Sequence, residues 1–188
     1  MRWKRVMFAA SLLLFLLAVV FVYRFRDLLS FPRTYTEPTP LTNVTAEQAN
    51  WPNYGRDAGG NRYSPLTQIH RNNVGQLKVA WTYHTGEANS TSPLRKYGAF
   101  EATPLMVDNT LYISTPFSRV IALDAQTGQE RWVYDPKMDL NVRYSEATSR
   151  GVSTWLDPEQ KLGRRIFLAT LDARLISLDA KTGQPCSD

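Results

Sequence analysis

A repeat constrains this chain more than any other feature of its sequence. Val120-Ile-Ala-Leu-Asp-Ala-Gln-Thr-Gly-Gln-Glu-Arg-Trp132 reads as a strand, a tight turn and a second strand. Val120 to Leu123 are β-formers or small apolar residues. The Asp124 carboxylate can accept backbone N–H bonds in the turn, and Gly128 can take a positive φ without steric cost. Trp132 supplies a large plate for packing. Leu175-Ile-Ser-Leu-Asp-Ala-Lys-Thr-Gly183 repeats the pattern, with Asp179 lying 55 residues after Asp124. The same shift aligns Leu111-Tyr-Ile-Ser-Thr115 with Ile166-Phe-Leu-Ala-Thr170, and Arg119 with Arg174. Several short strands closed by a Gly turn and repeated at about 50 residues are the mark of β-propeller blades.

A closed propeller needs about four to eight blades, and the residues after the N-terminal region supply about three. The fold expected is therefore all-β, a partial propeller. The net charge of +5 points first to nucleic acid or an anionic membrane. Much of it sits at Arg2, Lys4, Arg5, Arg24 and Arg26, beside an apolar run, and no Lys/Arg face interleaved with aromatics follows. Membrane topology accounts for the charge better than nucleic-acid binding does. The one cysteine, Cys186, has no internal partner, and no C-x-x-C zinc or redox motif is present.

Along the chain, residues 1–5 read as a cytoplasmic tail and 6–23 as a transmembrane signal anchor. That run holds 18 uncharged residues and would span about 27 Å as a helix. No small-residue cleavage site follows it, which favours an uncleaved anchor over a signal peptide. The basic residues before it hold the N-terminus in the cytoplasm and leave the remainder in the periplasm. Residues 24–50, with Pro32, Pro38 and Pro40 among Thr and Glu, form a linker. The propeller portion is expected over 51–188. Trp51 to Ser64 reads as an ordered loop, Leu77 to Tyr83 as a strand, and Glu87 to Lys96 as a surface loop. Ala99 to Val107 and Thr110 to Thr115 read as a strand pair around an Asp108-Asn109 turn. Their continuous apolar character suits strands buried on both faces. Tyr134 to Ser149 is polar and irregular, Arg150 to Trp155 strand-like, and Asp157 to Gly163 a turn. His70 and His84 lack clustered partners and read as solvated.

The specific motifs are Trp51-Pro-x-Tyr-Gly with Arg62-Tyr-Ser, Phe100-Glu-Ala-Thr-Pro-Leu105, Ser149-Arg-Gly-Val152 and Thr170-Leu-Asp-Ala-Arg-Leu175. With the Ala122-x-Asp-x-x-Thr-Gly-x-x-x-Trp132 unit, they resemble the pyrroloquinoline-quinone (PQQ) dependent dehydrogenases, above all the membrane-bound glucose dehydrogenase group. The last unit is similar to the family's tryptophan-docking motif, in which each Trp packs between adjacent blades. The resemblance implies an eight-bladed propeller with PQQ near its axis beside a Ca²⁺ ion. It also implies an alcohol or aldose substrate, and a membrane quinone or a cytochrome as electron acceptor. Glu101, Arg150 and Thr170 match the family residues that hydrogen-bond PQQ, and a guanidinium offers forked donors to carboxylate or carbonyl oxygens. No catalytic base and no metal ligand is assigned here, because the family's lie beyond the matching motifs. This segment alone is expected to be inactive.

Two positions depart from the pattern. Glucose dehydrogenases commonly carry His four residues before this Arg, where the chain has Glu146, and relatives often carry Cys where it has Ser149. A vicinal disulfide is thereby excluded, and both changes bear on sugar specificity. Two alternatives to the enzyme are a non-catalytic propeller scaffolding envelope assembly and an inactive truncated gene product. The combination of Glu101, Arg150 and Thr170 favours the enzyme, since a scaffold has no use for it.

Overall fold

The computed structural model describes residues 3, 15, 16, 19–21, 23, 24, 45, 49–159 and 161–187. The chain divides into two compact units, Met1–Pro38 and Thr39–Asp188. The described residues of the first are helical and face solvent. Most of the anchor expected over 6–23 and of the linker over 24–50 lies outside the described residues. Among the described residues, no helix is long and apolar enough to cross a membrane.

The second unit is all-β. Its strands are β1 (Gly98–Thr103), β2 (Leu105–Val107), β3 (Thr110–Ser114), β4 (Val120–Asp124), β5 (Glu130–Tyr134), β6 (Ala147–Gly151), β7 (Ser153–Leu156), β8 (Arg164–Ala169) and β9 (Leu175–Asp179). They form an antiparallel four-stranded sheet in the order β2-β3-β4-β5, a three-stranded sheet β7-β8-β9, and a two-stranded sheet β1-β6. The first two are successive blades built as meanders. The third is parallel and joins the strands that lead into each blade. On the outer edge of β2, Trp51 N–H donates to Met106 O at 2.6 Å and Met106 N–H donates back at 3.1 Å.

Burial follows the blade architecture. Val120, Ile121, Ala122 and Leu123 of β4 are fully buried, so this strand is covered on both faces. β3 instead alternates buried and half-buried residues. The main core lies between the blades, where Leu105, Tyr112, Val120 and Trp132 meet Ile166, Leu168, Leu178 and Ala180.

Five expectations change. The single strand expected over Ala99 to Val107 is two, because Pro104 has no N–H to give a ladder. The strand over Arg150 to Trp155 likewise breaks at Val152. Leu77 to Tyr83 carries no strand, since no described strand runs beside it to complete a ladder. Among the described residues two blades therefore stand where about three were expected. Finally, Glu87 to Lys96 is more than a surface loop. It folds into 3-10 turns at Glu87–Asn89 and Pro93–Tyr97 that bury Glu87 and Leu94.

Candidate functional site

The repeated turns are the devices that fix one blade against the next. Asp124 Oδ1 accepts from Gln126 N–H at 3.1 Å, Thr127 N–H at 2.9 Å and the Thr127 hydroxyl at 2.9 Å. Asp179 repeats the set with Lys181 and Thr182 at 3.0, 2.8 and 2.8 Å. The Arg131 guanidinium bonds Asp124 Oδ2 at 2.8 Å, and with the Thr127 bonds it holds this carboxyl down at about 2. Gly128 and Gly183 both take φ +71°, and indole rings lie flat over them. A Cβ on Gly128 would stand 2.4 Å from the Trp81 ring, and one on Gly183 2.6 Å from the Trp132 ring. Each Trp thus docks on the turn of the following repeat. Across the same contact, Trp132 Nε1–H and the Tyr112 hydroxyl both donate to Ala180 O at 3.0 Å.

The parallel pairing of β1 with β6 brings two of the three expected site residues together. Register places Phe100 beside Ser149, and Arg150 Nη1 then reaches Glu101 Oε2 at 2.9 Å. The Arg150 side chain is 79% exposed and that of Glu101 33%, so the pair presents a guanidinium outward. Thr148 Oγ1 donates to Ala99 O at 3.0 Å, and the Ser114 and Ser149 hydroxyls, both buried, lie 2.7 Å apart. These bonds fix β6 over the two residues that precede its exposed Arg. Gly151 follows at φ +135°, where a Cβ would come within 3.0 Å of Thr103 O, so the close approach of the strands needs Gly there. Arg150 also lines a cleft of about 310 Å³ with Asn53, Tyr54, Thr103 and Leu105.

Thr170 stands apart from this pair. Its hydroxyl donates to Asp172 and accepts from Arg174 N–H at 3.0 Å. Thr115 does the same for Arg119 N–H at 3.1 Å, so the Thr-x-x-x-Arg turn recurs in both repeats. Each Arg then reaches back to a preceding loop: Arg119 Nη1 donates to Thr85 O and Arg174 Nη2 to Pro136 O, both at 2.9 Å. His70 Nδ1 accepts from Asn72 N–H within a turn. Among the described residues, no group of three or more His, Cys, Asp or Glu side chains could hold a metal ion.

The polar composition of 87–96 concealed a carboxylate. Glu87 is 9% exposed, and burial pushes its carboxyl above the usual range, against the pull of Thr115, Arg119 and Phe117. It lines a cavity of about 250 Å³ with Thr85, Ala88, Arg95, Phe100 and Phe117. Only a polar pair such as Glu87 with Arg95, eight residues apart, marks this region in the sequence.

Meandering blades locked by an indole on a left-handed Gly define a β-propeller of the tryptophan-docking class. The chain belongs, more narrowly, to the PQQ glucose/ethanol/alcohol dehydrogenase β-propeller family, whose profile matches residues 51–188. It is 40% identical over 162 residues to the quinoprotein glucose dehydrogenase of Gluconobacter oxydans, covering 80% of this chain and 20% of that protein. Against the Escherichia coli quinoprotein glucose dehydrogenase it is 39% identical over 157 residues, covering 79% and 20%. The dehydrogenase subunit of the Gluconobacter oxydans alcohol dehydrogenase (quinone) is 36% identical over 184 residues, covering 96% and 21%. Among solved structures, the quinohemoprotein alcohol dehydrogenase of Comamonas testosteroni superposes with a TM-score of 0.57 at 35% identity, over 72% of this chain and 18% of that one. The Pseudomonas putida enzyme ADHIIG gives 0.59 at 36%, over 80% and 21%. The chain thus spans about a fifth of the length of these relatives.

Proposed function

We propose that this chain forms the N-terminal part of a membrane-anchored, periplasmic PQQ-dependent dehydrogenase that oxidises glucose or a related aldose or polyol. The domain plan would be the tail at 1–5, the bilayer-spanning anchor at 6–23, the linker at 24–50 and the propeller portion from 51 onward. Electrons would pass to a membrane quinone or a cytochrome.

The observation that carries this reading is the Glu101–Arg150 pair on neighbouring parallel strands. PQQ is a tricarboxylated quinone, and an exposed guanidinium suits one of its carboxylate or carbonyl oxygens. Arg150 fits that requirement: Glu101 holds one nitrogen, and most of the side chain is open. Glu101 fixes the plane of the guanidinium and offers an acceptor to any N–H or O–H of the cofactor. Thr170 is assigned a further hydrogen bond to PQQ, with its turn partners Asp172 and Arg174 holding the rotamer. When bound, PQQ supplies the quinone that accepts the substrate's reducing equivalents. The residues of this chain bind and orient; the catalytic base and the Ca²⁺ ligands are assigned to segments outside it. An envelope scaffold has no use for an ion pair at this position.

The test is PQQ titration of the native protein with Ca²⁺, followed by dye reduction with glucose. Arg150→Ala is expected to weaken PQQ binding by about tenfold to a hundredfold, the loss of one charge-assisted contact, with Glu101→Gln intermediate. A native protein that neither binds PQQ nor reduces dye would overturn the reading.

A further inference from the structure

One motif of the sequence takes no part in the Glu101–Arg150 pair. Trp51-Pro-Asn-Tyr-Gly with Arg62-Tyr-Ser folds into a closed loop on the edge of β2. Trp51 and Met106 exchange backbone bonds as an antiparallel bridge, so the chain leaving Trp51 runs back toward Thr103. Thr103 in turn lies opposite Gly151, the residue after Arg150. This register carries Asn53 and Tyr54 to the cleft that Arg150 lines, and both stand in its wall. The loop then closes behind them. Arg62 N–H donates to Gly55 O at 2.9 Å, and Asp57 accepts from Asn61 N–H at 3.1 Å and from Asn61 Nδ2 at 2.8 Å.

The closed loop places one guanidinium. Arg62 Nη2 donates to the Tyr54 hydroxyl at 2.6 Å, with its Cζ 4.8 Å from the centre of the Tyr54 ring. To reach it Arg62 takes φ +54°, a left-handed backbone that arginine rarely adopts. Such outliers cluster at functional sites, where the surrounding structure holds them. Packing does not account for this one: Tyr54 is 62% exposed, and an exposed cation–ring contact adds little to stability. A guanidinium carries donors and no acceptor, so the phenol oxygen accepts here and its own hydrogen is not used by Arg62. Accepting from a cation also polarises the O–H and strengthens it as a donor. A held phenol donor thus stands in the same cleft wall as the Arg150 guanidinium.

We propose that Tyr54 is a further cofactor-binding residue, donating from its hydroxyl to a PQQ carboxylate or carbonyl oxygen in the Arg150 cleft, and that Arg62 is the positioning residue that fixes the phenol. The proposal rests on the dehydrogenase reading above. A planar acid with several oxygens matches a cleft that offers both a guanidinium and a phenol. The second directional donor fixes an orientation that a single ion pair leaves free to rotate. Glu101 cannot take that role toward an anion, since a carboxylate only accepts. No covalent bond is made or broken by Tyr54 or Arg62.

The test is PQQ titration of the native protein with Ca²⁺, read by quenching of tryptophan fluorescence and accompanied by thermal melts without PQQ. Tyr54→Phe removes one oxygen from an exposed ring, so its melt should match that of the unaltered protein. Its PQQ Kd should nevertheless rise about tenfold, the loss of one hydrogen bond to a charged group. Arg62→Met should raise Kd by about threefold to tenfold, and Arg62→Lys by less. Arg62 acts through the phenol, so adding Arg62→Met to Tyr54→Phe should raise Kd by less than about twofold more. Equal PQQ affinity in Tyr54→Phe and the unaltered protein would overturn the assignment of Tyr54 and leave the dehydrogenase reading standing. A full further loss from Arg62→Met in the Tyr54→Phe background would overturn the positioning role and make Arg62 a separate contact. Failure of the unaltered protein to bind PQQ would overturn the dehydrogenase reading and the Tyr54 assignment together.

Discussion

Single residues in this chain were legible where their chemistry is local. Asp124 and Gly128 declare a turn through a short acceptor and a left-handed backbone, and both do what their types dictate. Asp124 also has a consequence for acid stability. Its carboxyl is lowered from 3.8 to about 2 by Arg131 and then by the Thr127 bonds. A depressed acid stabilises the folded state above its unfolded value and loses that contribution as pH falls through the folded one. The melting-temperature gap between the unaltered protein and Asp124→Asn should accordingly be widest above pH ~4 and close as pH approaches ~2. A gap of constant size in thermal melts across that range would show that Arg131 contributes nothing through charge. Glu87 was illegible for the opposite reason. Its burial comes from Phe117 and the 3-10 turns folding around it, and nothing in a polar stretch announces that packing.

Elements were legible as a repeat, though with a shift that conceals how the inner strands pair. Equivalent residues are 48 apart before the first turn of the blade, as in Leu105 and Ser153, and 55 apart after it, as in Tyr112 and Phe167. The second turn is therefore seven residues longer, and a search at 55 aligns only the later strands. In β1 and β6 the spacing is 49 as far as Phe100 and Ser149 and 48 at Thr103 and Gly151, so Glu101 and Arg150 sit where the register shifts and meet through their side chains. Each was identifiable from its motif; their meeting was not. The shorter of the two turns is Asp108-Asn109, with φ of 51° and 56°. These angles define a type I′ hairpin, whose twist matches that of the strands. Asn tolerates this region, whereas a β-branched side chain clashes with its own backbone. Asn109→Val is expected to lose about 1–2 kcal/mol in urea unfolding, while Asn109→Gly should be neutral or slightly stabilising. Equal stability for Val and Gly would mean that the hairpin's twist is set elsewhere.

At the scale of the whole molecule, what holds one blade on the next is a small set of directional contacts over an apolar interface. Asp108 bonds Arg164 Nε at 2.7 Å, Trp132 covers Gly183, and Tyr112 and Trp132 rings stand 5.8 Å apart. The most informative contact is the doubly used carbonyl of Ala180, buried at 5% exposure. It accepts from both Tyr112 and Trp132, so either donor alone keeps it satisfied. Tyr112→Phe and Trp132→Phe should each cost about 0.5–1.5 kcal/mol, the net worth of one hydrogen bond plus, for Trp132, some lost packing. Together they strand a buried acceptor, whose desolvation penalty is about 1–3 kcal/mol and appears in neither single variant. The double variant should therefore exceed the sum of the singles by roughly 1 kcal/mol or more, a negative cooperativity that a double-mutant cycle on chemical unfolding can measure. Strict additivity would mean that the carbonyl finds another donor when both rings lose theirs. In that case blade docking would rest on the apolar face of Trp132 against Gly183, and Gly183→Ala, which places a methyl within 2.6 Å of that ring, would become the decisive substitution.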